Sequence, residues 1–170
     1  MSEIMSEQDA SFQVGDQVIH WIYGLGEITQ LDEKVVSGQT GKYYVVRTSD
    51  LTLWVPLDKS GENCLRFPTP ARDFHTLFHI LASPGEALSP DRFERKTQLS
   101  ERLQERTIES ICRIVRDLVD YKRTKKINEY DQSTLARART FLVNEWSAAL
   151  SVPVQQAEQE LRDLLKTNVI

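Results

Sequence analysis

The sequence predicts an α+β protein, in which a small β-barrel of the SH3 or Tudor type precedes a compact all-α bundle of about five helices. Five of the seven glycines lie between residues 12 and 56. Short apolar runs alternate there with turns, which is typical of short, sharply bent strands. From Asp73 onward the apolar residues recur at helical spacing instead. This change of periodicity near Phe67 favours two domains over one.

The first half contains four or five short runs rich in Val, Ile, Tyr and Leu, separated by turn residues. Strands of this kind, joined in sequence by tight turns, favour a small barrel, because the apolar residues are too few for a sandwich. Pro56 ends the fourth run, since proline cannot donate to a ladder. Between the second and third runs we expect a polar connection, residues 32–41, that turns at Gly38 and Gly41. The predicted strands are 17–21, 26–31, 42–48, 51–55 and 65–67.

The predicted domain organisation has four parts. The polar, acidic start predicts a disordered tail. The two prolines of Phe67-Pro68-Thr69-Pro70 predict a stiff connection. Helices are predicted over residues 73–82 and 91–106, after the capping residues Thr107 and Asn128, and from about residues 151–153 onward. The parts are a tail at 1–11, a Tudor-like domain at 12–68, a proline-containing linker at 69–72 and a helical domain at 73–170.

Composition and motifs argue against several classes of protein. The longest apolar runs are too short for a membrane span, and the start lacks the blocks of a signal peptide, so we expect a cytoplasmic protein. Cys64 and Cys112 are predicted to be free thiols, buried or partly buried. Phosphate-binding, nucleophile-elbow and zinc-protease motifs are absent from the sequence, so we expect neither an enzyme nor a cofactor. His75 and His79, one helical turn apart, leave a metal-dependent enzyme as a minor alternative.

Basic residues concentrate in the helical half. Residues 92–126 hold 11 basic and 6 acidic residues, although the whole chain carries a net charge of −4. Such a segment could follow a phosphate backbone. Alternatively, Glu94, Glu101 and Glu105 could pair with the arginines at helical spacing and leave an ordinary solvated surface. The candidate residues on the first basic helix are Arg92, Arg95, Lys96, Arg102 and Arg106, and those at the end of the next helix are Lys122, Arg123, Lys125 and Lys126.

Trp54 is the aromatic residue of most interest in the barrel. In an alternating strand Leu53 and Val55 share one face, so if they are core residues Trp54 points outward. An outward tryptophan at a strand edge is a plausible anchor for a protein partner. Equally, it could cover the linker or the helical domain.

Several segments together resemble the CarD/CdnL family of bacterial transcription regulators, whose N-terminal module also occurs in the transcription-repair coupling factor. The resemblance covers about residues 12–165. It is carried by the following segments: VGDxVxHxxYGxGxI at 14–28, YYVV at 43–46, LTLWVP at 51–56, RIVRDL at 113–118, LARAR at 135–139 and LVNE at 142–145.

The resemblance implies a Tudor-like domain that binds the β subunit of RNA polymerase, partly by strand addition, and a helical domain that touches promoter DNA. The implied polymerase contacts are Lys34, Trp54, Val55 and Pro56, with Trp54 standing where family members often carry arginine. In place of the family's DNA-wedging tryptophan, Arg92 or Phe93 would enter the minor groove, followed by the basic Arg95 and Lys96.

We therefore predict a non-enzymatic transcription regulator, favoured to be a monomer, that binds the polymerase and modulates promoter opening. Its DNA contacts would be independent of sequence. The alternative is an adaptor that binds the polymerase through its barrel and a second protein through its helices.

Overall fold

In a computed structural model that describes residues 10–167, the chain divides into two compact units between Pro68 and Thr69. The first unit is a sheet and the second is helical, which confirms the predicted fold class. Most of the predicted N-terminal tail, residues 1–9, lies outside the described residues. Ala10 packs on the core of the sheet unit and the Ser11 N–H donates to Glu62 (3.1 Å), so neither behaves as part of a tail.

The sheet unit is a five-stranded antiparallel sheet with the order β4-β3-β2-β1-β5. Consecutive strands pair along the chain from β1 to β4, and β5 returns to pair with β1. A short helix, α1 (Lys59–Glu62), connects β4 to β5. The strands are β1 (Gln17–His20), β2 (Gly24–Val36), β3 (Gln39–Arg47), β4 (Thr52–Pro56) and β5 (Leu65–Arg66).

The hairpin between β2 and β3 differs from the sequence prediction. Instead of a polar connection over residues 32–41, both strands continue to a two-residue turn at Ser37 and Gly38. Both turn residues have positive φ, 53° and 79°, as a type I′ turn requires. Gly41 therefore lies within β3, opposite Lys34, and not in a turn. The prediction failed because the polar residues of this ribbon are exposed on both faces and resemble a loop in composition.

The sheet unit is held together by a small apolar core and one partly buried polar link. The core contains Phe12, Val18, Ile28, Tyr44, Val46, Val55, Leu57 and Leu65. The Tyr44 hydroxyl donates to the Glu62 carboxylate (2.5 Å), which also accepts the Ser11 N–H. Burial raises the pKa of Tyr44 above its usual 10.0, and the bond to Glu62 adds to this. Burial alone would raise the pKa of Glu62 as well, but the bonds from Ser11 and Tyr44 outweigh it and the pKa lies below 4.5.

This link predicts an acid-dependent loss of stability. A carboxylate whose pKa is lowered by folding contributes stability fully above its unfolded pKa, and that contribution is lost as the pH falls through its folded pKa. Glu62→Gln should lower the free energy of unfolding by about 1 kcal/mol at neutral pH. The difference from wild type should shrink below pH 4.5. Denaturant titrations at neutral pH and below pH 4.5 measure the two free energies of unfolding, and Glu27→Gln, at an exposed position, is the control. A difference independent of pH would contradict it.

The helical unit contains five helices within the described residues: α2 (Phe74–Ala82), α3 (Arg92–Gln104), α4 (Ile108–Thr124), α5 (Glu129–Leu150) and α6 (Val154–Thr167). Two of their N-termini, those of α4 and α5, are capped by the residues that the sequence predicts. The Thr107 hydroxyl accepts the N–H of Ser110, and Asn128 forms a capping box with Asp131. Trp146 is fully buried between Phe74 and Phe78 and donates its indole N–H to Glu160 (3.0 Å). Apolar stripes of this kind close the bundle core.

The first residue of the helical unit is fixed by hydrogen bonds to α5. Thr69 donates its backbone N–H (2.9 Å) and its hydroxyl (2.6 Å) to the buried carboxylate of Glu145 in α5. Ala71–Asp73 then forms a 3₁₀ turn that leads into α2. The first residue of the predicted linker, 69–72, is thus bonded to the helical unit. Among the helices within residues 10–167, none has an apolar stretch of the length that a bilayer span requires.

Candidate protein and nucleic-acid interfaces

The outer edge of β4 has unpaired backbone groups. The Leu57 N–H donates to Lys42 and the Thr48 N–H to Leu51, one bond at each end of the β3–β4 ladder. Because hydrogen-bonded and non-hydrogen-bonded pairs alternate in an antiparallel ladder, Leu53 and Val55 bond to β3. The N–H and C=O groups of Thr52 and Trp54 then point away from β3. Within residues 10–167 no other strand pairs with this edge.

Trp54 lies on the face of the sheet opposite the core, 38% exposed. Its ring meets Tyr43 edge-on, with centroids 6.2 Å apart, and the Lys34 ammonium lies 4.8 Å from its centroid. Lys34 reaches Trp54 because the β2–β3 ribbon places it opposite Gly41, which has no side chain. We call Lys34, Thr52, Trp54 and Pro56 the β4 edge surface.

Val55 does not belong to this surface. Its side chain is 4% exposed and packs in the sheet core, and its backbone pairs with Tyr44. The prediction that Val55 contacts a partner is therefore wrong for its side chain: alternation along β4 turns it inward. Its role is to hold the edge against β3.

The β4 edge ends at Pro56 for two reasons. Proline has no N–H to offer a partner strand. In addition, α1 approaches so closely that a Cβ on Gly61 would lie 1.8 Å from the Pro56 carbonyl oxygen. The free edge is therefore short and has a defined end.

In the helical unit, the first turn of α3 presents a mixed apolar and basic surface. Asp91 caps the helix by accepting the N–H groups of Phe93 and Glu94 (2.9 and 3.0 Å). Phe93 is 67% exposed, and the Arg92 guanidinium lies 4.8 Å from its ring centroid. Lys96, one turn on, is also exposed and lies 5.0 Å from the ring of Tyr130.

The basic residues at the end of α4 and just after it lie beside this turn. Lys125 lies 4.9 Å from the ring centroid of Tyr121, and Arg95 of α3 contacts the same ring at 4.8 Å. The shared tyrosine brings the end of α4 close to the first turn of α3. Arg123 is partly committed elsewhere, because it bonds the carbonyl of Leu165 and lies near Asp120. We call the exposed residues Arg92, Phe93, Lys96, Lys122, Arg123, Lys125 and Lys126 the basic surface.

The position of Arg95 differs from the sequence prediction. This residue was expected to contact DNA, but it is only 3% exposed. Its Nε and Nη2 atoms bond the Asp131 carboxylate (3.0 and 2.8 Å), and Nη1 donates to the Tyr121 hydroxyl (3.1 Å). A side chain engaged in this way cannot reach a phosphate. The same holds in part for Arg102, which pairs with Asp117 and Glu86.

The candidate metal ligands remain apart from any larger cluster. His75 and His79 are exposed on α2. In the described part of the chain, no three His, Cys, Asp or Glu residues come together in a way that could hold a metal. His20 accepts the N–H groups of Ile22 and Tyr23 at its Nδ1 atom, a structural role in the β1–β2 turn. Both cysteines are free thiols, Cys112 buried and Cys64 partly so, as predicted.

Two family models match this sequence. The CarD-like/TRCF RID domain matches residues 12–66, and the CarD C-terminal domain matches residues 76–162. The chain belongs to the CarD family. It is also 26% identical over 151 residues to YdeB of Bacillus subtilis (strain 168), whose name describes a candidate transcription factor. That alignment covers 85% of this chain and 96% of the relative.

The CarD matches cover both surfaces. The RID match includes the whole β4 edge surface, and the C-terminal match includes the whole basic surface. Together, the family and the name of the relative indicate a CarD-like transcription factor. They point to a regulator of transcription and not to an enzyme.

The residues that support the basic surface from below were not identified from the sequence. Tyr121 and Tyr130 support Lys125 and Lys96, and Asp131 neutralises Arg95. The spacing of Asn128 and Asp131 signals a capping box, but nothing in it indicates that Asp131 also pairs with Arg95. Arg95 and Arg102 pair with Asp131 and Asp117 on other helices, whereas the glutamates expected to pair with them are close to them in sequence.

Proposed function

We propose that this CarD-family protein docks on the β subunit of RNA polymerase through its β4 edge surface. From there its helical unit would contact promoter DNA and shift the balance between the closed and open complexes. The observation that carries the proposal is the unpaired outer edge of β4, with Trp54 and Lys34 beside it. Binding alone can shift such a balance if the two complexes differ in affinity for the protein.

Strand addition is the binding mode that the β4 edge supports. A partner strand would pair with the outward N–H and C=O groups of Thr52 and Trp54 and end its ladder at Pro56. Backbone bonds of this kind supply affinity, whereas side chains beside the edge supply specificity. Trp54 is a suitable anchor because tryptophan is enriched among residues that dominate binding energy. Lys34 is placed to meet a carboxylate on the partner.

Contact with DNA is supported by the chemistry of the basic surface. Arg92, Lys96, Lys122, Lys125 and Lys126 are exposed cations that could neutralise phosphates without reading bases. Phe93 is an exposed apolar side chain among them, and phenylalanine can wedge between base steps from the minor groove. Tethering to the polymerase would make such weak contacts effective by raising the local DNA concentration.

Retention of a polymerase β fragment by the full-length protein tests the docking step. Trp54→Ala is expected to weaken binding about 30-fold, because truncating a central anchor costs about 2 kcal/mol or more. Leu51→Ala is the matched control, since Leu51 is similarly exposed (47%) but precedes β4. Equal binding by wild type and Trp54→Ala would count against the β4 edge, and absence of binding by wild type would refute the proposal.

The second candidate is an adaptor whose helical unit contacts a protein. It is favoured by Phe93, because aromatic residues, phenylalanine included, are enriched in protein interfaces. Salt dependence separates the two candidates. DNA binding that falls steeply as salt rises supports phosphate contact. Binding to promoter DNA that is absent, or unchanged by salt, supports the adaptor.

A further inference from the structure

We propose that Arg95 is a positioning residue, which fixes the first turn of α3 so that Phe93, Lys96 and Lys125 act as one surface. This inference rests on the proposed function, because the surface that Arg95 organises is the one assigned to DNA. Arg95 would contribute to DNA binding without touching DNA.

The contacts of Arg95 join four parts of the helical unit. The side chain starts from α3 and bonds Asp131 at the beginning of α5 through two nitrogens. Nη1 donates to the Ser89 carbonyl (3.0 Å) in the connection before α3 and to the Tyr121 hydroxyl (3.1 Å) in α4. The guanidinium also lies 4.8 Å from the ring centroid of Tyr121. We call Arg95, Tyr121 and Asp131 the Arg95 clamp.

Each partner of Arg95 in the clamp either contacts a residue of the basic surface or is adjacent in sequence to one that does. Tyr121 also contacts Lys125 through its ring, 4.9 Å from the ammonium. Tyr130, the neighbour of Asp131, contacts Lys96 in the same way at 5.0 Å. Phe93 and Arg92 lie two and three residues before Arg95, in the same helical turn. A shift of the clamp would therefore move these cations and the exposed phenylalanine relative to one another.

The chemistry of the clamp favours rigidity over solvent exchange. Arg95 and Asp131 are 3% and 1% exposed, so their attraction is screened little by salt. The hydrogen bond to Asp131, with its charge, raises the pKa of Arg95 above its usual value even though burial opposes this. A planar guanidinium can satisfy Asp131, Ser89 and Tyr121 at once, which a lysine ammonium could not do with the same geometry.

The test compares two changes in the full-length protein: loss of the buried ion pair and loss of one exposed cation. Arg95→Met combined with Asp131→Asn removes the ion pair without leaving a buried charge, and asparagine keeps an oxygen for the capping box. Lys96→Gln is the matched control, because it removes one exposed cation from the neighbouring position. DNA affinity is measured over a range of salt concentrations, using a duplex with a short unpaired bubble. Amide hydrogen exchange is followed in parallel at residues 92–96.

The DNA affinities of the two variants should depend on salt in different ways. Lys96→Gln should reduce the slope of log K against log salt by about 0.9, the value for one phosphate contact. The clamp double variant should bind DNA about tenfold more weakly with the slope unchanged, and its amides at residues 92–96 should exchange at least tenfold faster. Tyr121→Phe, a milder variant that loses only the hydroxyl bond, should change both measures in the same direction and by less.

Several outcomes would overturn the inference. A slope reduced by about one phosphate contact in the double variant would mean that Arg95 itself meets DNA. Wild-type affinity in the double variant, or unchanged hydrogen exchange at residues 92–96, would mean that the ion pair positions nothing. If wild type shows no salt-dependent DNA binding, the proposed function fails. Hydrogen exchange then decides alone whether Arg95 holds the turn.

Discussion

Replacing Thr52 by proline is expected to weaken binding to the polymerase β subunit about 30-fold, through loss of one backbone bond and a clash with the partner strand. The sheet unit should remain folded, because the Thr52 N–H points away from β3 and makes no ladder bond. Proline is tolerated on an edge strand when its missing N–H faces outward. The substitution therefore separates strand addition from docking by side chains alone.

Two control variants make this result specific. Thr52→Ala removes the side chain but keeps the N–H, so it should bind the β fragment within about twofold of wild type, as surface changes usually cost little. Leu53→Pro removes an N–H that bonds to β3 and should unfold the sheet unit. Binding and circular dichroism are measured for all three variants. If Thr52→Pro is folded and binds as tightly as wild type, the partner does not add a strand at β4.

Gly61→Ala is expected to destabilise the sheet unit by about 3 kcal/mol, at the upper end of the usual cost of overpacking. The added Cβ would lie 1.8 Å from the Pro56 carbonyl oxygen and 2.7 Å from its carbon. Both are backbone atoms, so α1 must move away from the end of β4 as a whole. That movement would also pull Glu62 from Tyr44 and Ser11, which adds to the loss.

Chemical denaturation followed by tyrosine and tryptophan fluorescence measures this effect. Lys59→Ala, an exposed substitution in the same short helix, should change the free energy of unfolding by less than about 0.5 kcal/mol. A Gly61→Ala protein as stable as wild type would show that α1 can shift without cost. In that case the close approach of α1 would not limit the β4 edge.

The features predicted correctly from the sequence were those encoded by local patterns. Glycine punctuation predicted the strands, apolar spacing predicted the five helices, and Thr107 and Asn128 marked two helix starts. Alternation around Leu53 and Val55 predicted an outward Trp54. The extent of the β2–β3 ribbon could not be predicted in this way, because residues 33–36 are exposed on both faces and show no alternation.

The error at Arg95 has a different origin. Arg92, Arg95 and Lys96 all lie in one charged stretch, and sequence alone does not tell which of them turns inward. Arg95 is buried because Asp131, 36 residues later, meets it across the bundle. Long-range pairing of two charges leaves no periodic signal, unlike a stripe of apolar residues. Val55 is a different case: alternation along β4 already indicated an inward side chain, and only the family resemblance assigned Val55 to the polymerase contact.

The strand order has a consequence for synthesis of the chain. Every pairing from β1 to β4 joins neighbours in sequence, and the last one, β5 on β1, is available once Arg66 has left the ribosome. Contacts between near neighbours close quickly because little loop entropy is lost. The N-terminal half can thus finish folding while the helices are still being translated, and the nascent chain has its unpaired β4 margin before the rest of the protein exists.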